Sequence, residues 1–156
     1  MSIDVFLGGT AGKNPWRAEF VQRLISAGIK PESILNPVTQ NWDAAAKTTE
    51  EKAKTQARLL LFYIGDPMEN GASSSVYSLV EATMALYDRP TATVVVFEKA
   101  GLTGHALAAV NQCERVLRHR FPDASIFDAL RDAEVFILMR LARENRRHIS
   151  HGGSLG

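Results

Sequence analysis

Two runs in this chain, Leu59-Leu60-Leu61-Phe62-Tyr63-Ile64 and Thr93-Val94-Val95-Val96-Phe97, carry apolar side chains at nearly every position. Side chains alternate faces along a strand, so a run without polar alternation must be covered on both sides. Parallel strands between two helix layers meet that demand, whereas a half-exposed antiparallel sheet would alternate. Shorter β-like runs occur at residues 3–7, 33–35 and 124–127. Helical patterns fill the intervals. Residues 16–27 place Phe20, Val21, Leu24 and Ile25 on one face and end at Gly28, a suitable C′ residue. Residues 44–57 form an alanine-rich, charged and partly exposed helix, followed by helices at 76–86, 104–118 and 128–146. Strand–helix alternation of this kind predicts right-handed crossovers and a three-layer α/β/α sandwich around a five-stranded parallel sheet.

The chain has 156 residues, enough for one domain with a real core, and neither repeats nor a linker divide it. The domain is expected to span residues 1–146, with residues 147–156, rich in glycine and histidine, as a disordered tail. Eighteen basic and 17 acidic residues leave a net charge of +1, which gives no electrostatic case for a nucleic-acid partner. The single cysteine, Cys113, excludes an intrachain disulfide and a cysteine-built metal site, and suits a reducing compartment. No apolar stretch reaches the roughly 18 residues that a membrane span requires. The N-terminus lacks a basic segment followed by an apolar run. The expectation is therefore a cytoplasmic protein with no membrane partner, no metal and no cofactor.

In an open α/β sheet the ligand edge is made by the loops that follow the strands, here residues 8–15, 36–43, 65–75 and 98–104. The first begins Gly8-Gly9-Thr10, read as a strand-to-helix turn where glycines permit φ > 0 and close approach of a ligand. The G-x-G-x-x-G spacing of a dinucleotide site is absent. Thr10, Lys13, Asn14, Trp16 and Arg17 follow it; Asn36, Asn41, Trp42 and Asp43 crowd the second loop; Asp66, Glu69, Asn70, Gly71 and Ser73-Ser74-Ser75 fill the third. Local turn chemistry explains any one of these loops. Three converging on one edge favour a small-molecule site. The serine run precedes a helix, where it can cap the N-terminus or, with the backbone N–H groups, cradle a phosphate or carboxylate.

Glu81 stands out in Val76-Tyr77-Ser78-Leu79-Val80-Glu81-Ala82-Thr83-Met84-Ala85-Leu86, a helix otherwise of apolar and small residues. Its neighbours one turn away are Tyr77 and Ala85, so no cation on its own helix solvates it. It reads either as a nucleophile or general base, or as a partly exposed helix residue. His105 and Cys113 read as structural, and the arginines at 115, 118, 120, 140, 143, 146 and 147 as solvated helix faces. Walker, H-E-x-x-H, G-x-S-x-G and EF-hand patterns are absent.

With Phe6-Leu7-Gly8-Gly9-Thr10, Trp16-Arg17, Asn36-Pro37-Val38, Trp42 and Tyr77-Ser78-Leu79-Val80-Glu81 in order, residues 3–100 resemble the nucleoside 2-deoxyribosyltransferase family, in its transferase-like branch. That resemblance implies a flavodoxin-like, Rossmann-like fold and cleavage of the N-glycosidic bond of a nucleoside or nucleotide. It assigns Glu81 as the carboxylate that attacks the anomeric carbon, with transfer to another base or hydrolysis resolving the glycosyl-enzyme. Asp43, Asp66, Glu69 and Glu50 match the acid that protonates the leaving base. Phe6, Gly8, Gly9, Thr10, Trp16, Arg17, Asn36, Trp42, Gly71, Ser74, Ser75 and Ser78 fall at the substrate positions, with the glycines as a floor that leaves room for the sugar. Typical members carry a tyrosine where this chain has Phe6, and ten residues separate Gly71 from Glu81, a longer interval than usual. The resemblance further implies a homodimer or higher homo-oligomer. The alternative reading is a module that binds a nucleotide-derived ligand without turning it over.

Overall fold

The computed structural model describes residues 2–37, 44–71 and 75–151. Five strands, β1 (Val5–Gly9), β2 (Ile34–Leu35), β3 (Leu59–Ile64), β4 (Thr93–Phe97) and β5 (Ser125–Phe127), form one sheet in the order β2-β1-β3-β4-β5. Every pairing is parallel, and the order is that of a flavodoxin-like sheet. The helices are α1 (Trp16–Ser26), α2 (Ala44–Gln56), α3 (Val76–Asp88), α4 (Gly104–Arg120) and α5 (Leu130–His151). The result is the expected three-layer α/β/α sandwich.

Alternate side chains of the central strands feed two separate cores. Val5, Leu7, Leu59, Leu61, Tyr63, Val94 and Val96 meet α1 and α5 through Trp16, Phe20, Leu24, Ile137 and Leu141. Phe6, Leu60, Phe62, Ile64, Val95 and Phe97 meet α3 and α4 through Ala82, Leu86, Val110 and Leu117. This is why β3 and β4, fully buried along their length, show no alternation in sequence. Helix α1 ends in a Schellman closure: Gly28, at φ +96, donates to the Ile25 carbonyl at 2.9 Å and Ile29 to that of Leu24 at 3.1 Å.

Two features differ from the sequence expectation. Gly8 and Gly9 are not a turn but the last residues of β1, in register with Phe62 and Tyr63. Helix α5 runs on to His151, so the first residues of the expected tail are helical; residues 152–156 lie outside the described residues. The buried stripe of α5, Leu130, Ala133, Ile137 and Leu141, is spent on the sheet. Among the described residues, α3 leaves an apolar row in solvent, where Val76, Tyr77, Val80, Met84 and Tyr87 are each more than half exposed.

Candidate functional site

The site is built at the carboxyl end of β1. Strand β2 is only two residues long and pairs with Val5 and Phe6, so beyond Phe6 that edge of β1 has no neighbouring strand among the described residues. Arg17 stands in for one: its guanidinium donates to the carbonyls of Leu7 and, at 2.9 Å, Gly9, and reaches Asn36 Oδ1 at 3.3 Å. A planar five-donor group suits this double capping. Burial depresses the Arg17 pKa to about 10, and the charges of Glu50 and Glu81 partly restore it. Its Nε is buried without a hydrogen-bond partner.

On the other side of β1, Thr10 latches the strand ends together. Its Oγ1 lies 3.2 Å from the Gly65 carbonyl, accepts from Gly65 N at 3.0 Å, and receives the Ser75 hydroxyl at 2.7 Å. Ser75 is therefore committed to β1 rather than to capping α3, whose N-terminus has no side-chain cap. Glycine is required at positions 8 and 9 by the protein's own packing. A Cβ on Gly8 would lie 2.7 Å from Phe62 Cδ1, and one on Gly9, at φ +130, would lie 2.6 Å from Tyr63 N. The floor expected to leave room for a sugar is thus already covered by aromatic rings and backbone.

Charges gather over the Phe6 ring. Glu81 on α3, Glu50 and Glu51 on α2 all contact the Lys54 ammonium, Glu50 at 2.8 Å and Glu51 at 3.1 Å. The Nζ sits 5.4 Å above the Phe6 centroid. The Glu50, Lys54 and Glu81 side chains are 7%, 14% and 13% exposed, so Glu50 is buried and the other two half-buried, unlike a surface ion pair. Burial raises the Glu81 pKa above the ordinary carboxylate range; the hydrogen bond and charge of Lys54 oppose that rise, and the Glu50 charge adds to it. Tyr77, one turn earlier, also hydrogen-bonds to Glu81. Burial works against the Lys54 charge, but the bonds to Glu50 and Glu81 outweigh it and hold the ammonium above its usual range. Glu50 Oε2 is buried without a hydrogen-bond partner. A groove of about 460 Å³ opens between α2 and α3 beside this cluster, walled by Lys54, Phe62, Tyr77, Val80, Glu81 and Met84.

The structure brings Phe6, Arg17, Glu50 and Glu81 into one neighbourhood and leaves other expected site residues out of it. Trp16 is 3% exposed in the opposite core, stacked on Tyr63 at 4.5 Å with its indole N–H on the Thr10 carbonyl. Asp66 shapes its own loop by accepting from Met68 N at 2.9 Å. Glu69 is exposed and faces Lys13 at 3.8 Å. Ser78 is buried on α3 and Gly71 lies on an exposed turn with φ +78. Trp42, Asp43 and Ser74 fall outside the described residues.

Sequence reasoning missed Lys54 and the role of Tyr77. Glu50 and Ala53 are buried positions of α2 and Lys54 stands one turn after Glu50, but nothing in that local spacing points to the contact with Glu81 on another helix. A second cavity, about 360 Å³ between α1 and α5, contains Tyr63, whose hydroxyl donates to Glu98 at 2.6 Å, and Asn14, which donates to the Asp66 carbonyl at 2.7 Å. Among the described residues, no group of three or more histidine, cysteine or acidic side chains is placed to hold a metal, and no helix is long and apolar enough to cross a membrane.

No curated protein and no solved structure matches the chain. The sequence model of one family, described as nucleoside 2-deoxyribosyltransferase like, matches residues 2–100. That span contains β1 to β4 with α1, α2 and α3, and so holds Arg17, Glu50, Lys54 and Glu81 together. The chain belongs to the nucleoside 2-deoxyribosyltransferase-like family.

Proposed function

We propose that this protein cleaves the N-glycosidic bond of a nucleoside or nucleotide, with Glu81 as the nucleophile. The observation that carries this reading is a half-buried carboxylate that lines an open groove and shares one ammonium with a second, buried carboxylate. Two carboxyls touching the same nitrogen have their near oxygens within about two hydrogen-bond lengths of each other. Glu81 attacks the anomeric carbon, the C–N bond breaks, and its electron pair leaves with the base, which takes a proton. The base takes that proton from solvent, since Glu50 is a carboxylate already paired with Lys54 and does not line the groove. A second base or a water then opens the glycosyl ester, giving transfer or hydrolysis.

Incubation with a panel of nucleosides and nucleotides should release free base, read by chromatography, and Glu81→Ala should abolish the release. Retention of activity in that variant rejects the assignment. Lys54's hold on Glu81 favours one other reading, a module that binds a nucleotide-derived ligand without turnover. It expects a thermal shift with no base released, and a Glu81→Gln protein that still binds.

The exposed row on α3 is the surface we assign to a second copy of the chain. Light scattering of the wild type and of Val80→Glu/Met84→Glu tests it: a homo-oligomer that dissociates in the variant supports it, and a monomeric wild type rejects it.

A further inference from the structure

We infer that Lys54 is a positioning residue for Glu81: its ammonium steadies the attacking carboxylate by one oxygen and receives that carboxylate again when the glycosyl ester breaks. The inference rests on the reading of Glu81 as nucleophile, but the contact that carries it is independent of substrate.

An ammonium has three N–H donors, and all three carboxylates within reach of Lys54 take one: Glu50 at 2.8 Å, Glu51 at 3.1 Å, and Glu81. The Phe6 ring beneath the nitrogen attracts the cation and offers no hydrogen bond that could hold a carboxylate in its stead. Other charges near Glu81 are occupied or unlike it. The Arg17 guanidinium, from α1, is spent on the Leu7 and Gly9 carbonyls and acts on Glu81 only through space. Arg89, at the end of α3, caps the carbonyls of Lys54 at 2.7 Å and Ala57 at 2.6 Å, which fixes the backbone from which Lys54 reaches. Lys47 and Asp88 line the same groove, and Tyr77 donates to Glu81 from its own helix. Glu51 is 59% exposed and largely screened by water, which leaves Glu50 and Glu81 as the two negative charges that Lys54 reconciles.

The chemistry balances without any proton leaving Lys54. In the first step a Glu81 oxygen bonds to the anomeric carbon as the C–N bond breaks, and the other oxygen keeps the ammonium. The electron pair departs with the base, which takes its proton from solvent. In the second step water adds to the anomeric carbon, the ester C–O bond breaks, and its electron pair returns to Glu81, where Lys54 offsets the charge. The proton lost by water returns to solvent. Without Lys54, two carboxylates face each other and one of them stays protonated.

The test is a carbon-13 titration of the Glu81 carboxyl in wild type, Lys54→Gln, Lys54→Met and Lys54→Arg, beside the pH profile of base release. Loss of the ammonium is expected to move the Glu81 midpoint upward by about one pH unit or more, a tenfold or greater change in its protonation equilibrium. The acid limb of kcat/KM should move with it, and Lys54→Arg should return both towards wild type. A folded Lys54→Gln or Lys54→Met protein with an unmoved Glu81 midpoint overturns the inference. If Glu81→Ala keeps releasing base, the functional reading fails instead, while the titration still decides whether Lys54 holds Glu81. If neither neutral variant folds, a folded Lys54→Arg protein whose Glu81 midpoint lies a pH unit or more from wild type, so that a second cation does not restore it, overturns the inference.

Discussion

Two glutamates on neighbouring helices make opposite arrangements from the same residue types. Glu114, on α4, is one carboxylate held by two cations, Lys99 and Arg118, the latter at 2.9 Å and itself bridged to Asp128 at 3.1 Å. Burial works against its charge, yet those hydrogen bonds outweigh it and hold Glu114 below the usual carboxylate range. Glu81, on α3, is one of three carboxylates that share a single cation, and burial with the Glu50 charge carries it above that range. The first cluster satisfies its charges and ties α4 to the β4 and β5 loops. The second leaves a carboxylate short of positive charge beside an open groove, as a group awaiting a partner does. The count of cations per carboxylate, more than burial, separates an ion pair that holds structure from one suited to react.

That contrast is most easily broken through activity. Glu81→Ala should lower base release by at least about a thousandfold, as removal of a covalent nucleophile does, while Glu114→Gln should leave turnover within about twofold of wild type. Comparable losses in both variants would end the distinction.

Stability should respond in the reverse sense. Glu114→Gln removes a buried carboxylate from two cations and is expected to cost about 1–3 kcal/mol in denaturant unfolding. Glu81→Gln removes a charge that the fold disfavours, and should leave the protein as stable as wild type or more so by up to about 1 kcal/mol. A destabilised Glu81→Gln protein would make that cluster structural.

The pH dependence of Tm sharpens the same point. Glu114 has a folded pKa below its unfolded value, so its stabilisation is present above the unfolded pKa and is lost as pH falls through the folded one. Glu81 has the opposite sign: its contribution is present below the unfolded pKa and is lost as pH rises through the folded one. Glu114→Gln should therefore flatten the acid limb of Tm against pH, and Glu81→Gln should flatten the decline on the rising side. The smallest expected effect is at the α3 surface, where Val80→Glu should change monomer stability by no more than about 0.5 kcal/mol while reducing self-association.

Much of the fold is readable from local pattern because the pattern is set by burial. Strands β3 and β4 fall at the bounds their apolar runs predict, since both faces of each are covered. The exposed end of β1 was less readable. Gly8 and Gly9 look like a turn because glycine is a poor strand former, yet they extend the strand where Phe6, Phe62 and the Tyr63 backbone leave no space for a Cβ. Trp16 reads as a ligand-facing aromatic because it lies just after a polar loop, whereas the first turn of α1 swings it onto Tyr63. Glu81 was legible from its apolar and small helix neighbours. Lys54 was not, because it approaches Glu81 from another helix, 27 residues away in sequence, and no helical spacing records such a contact.

The claim that Glu81 bonds to the anomeric carbon is tested most directly by mass spectrometry of protein quenched during turnover with a nucleoside that releases base. The account predicts a mass increase equal to one glycosyl group, mapped to the peptide containing Glu81 and absent from Glu81→Gln. A glycosyl adduct on another residue, or base release from an enzyme that never gains mass under single-turnover conditions, would contradict it.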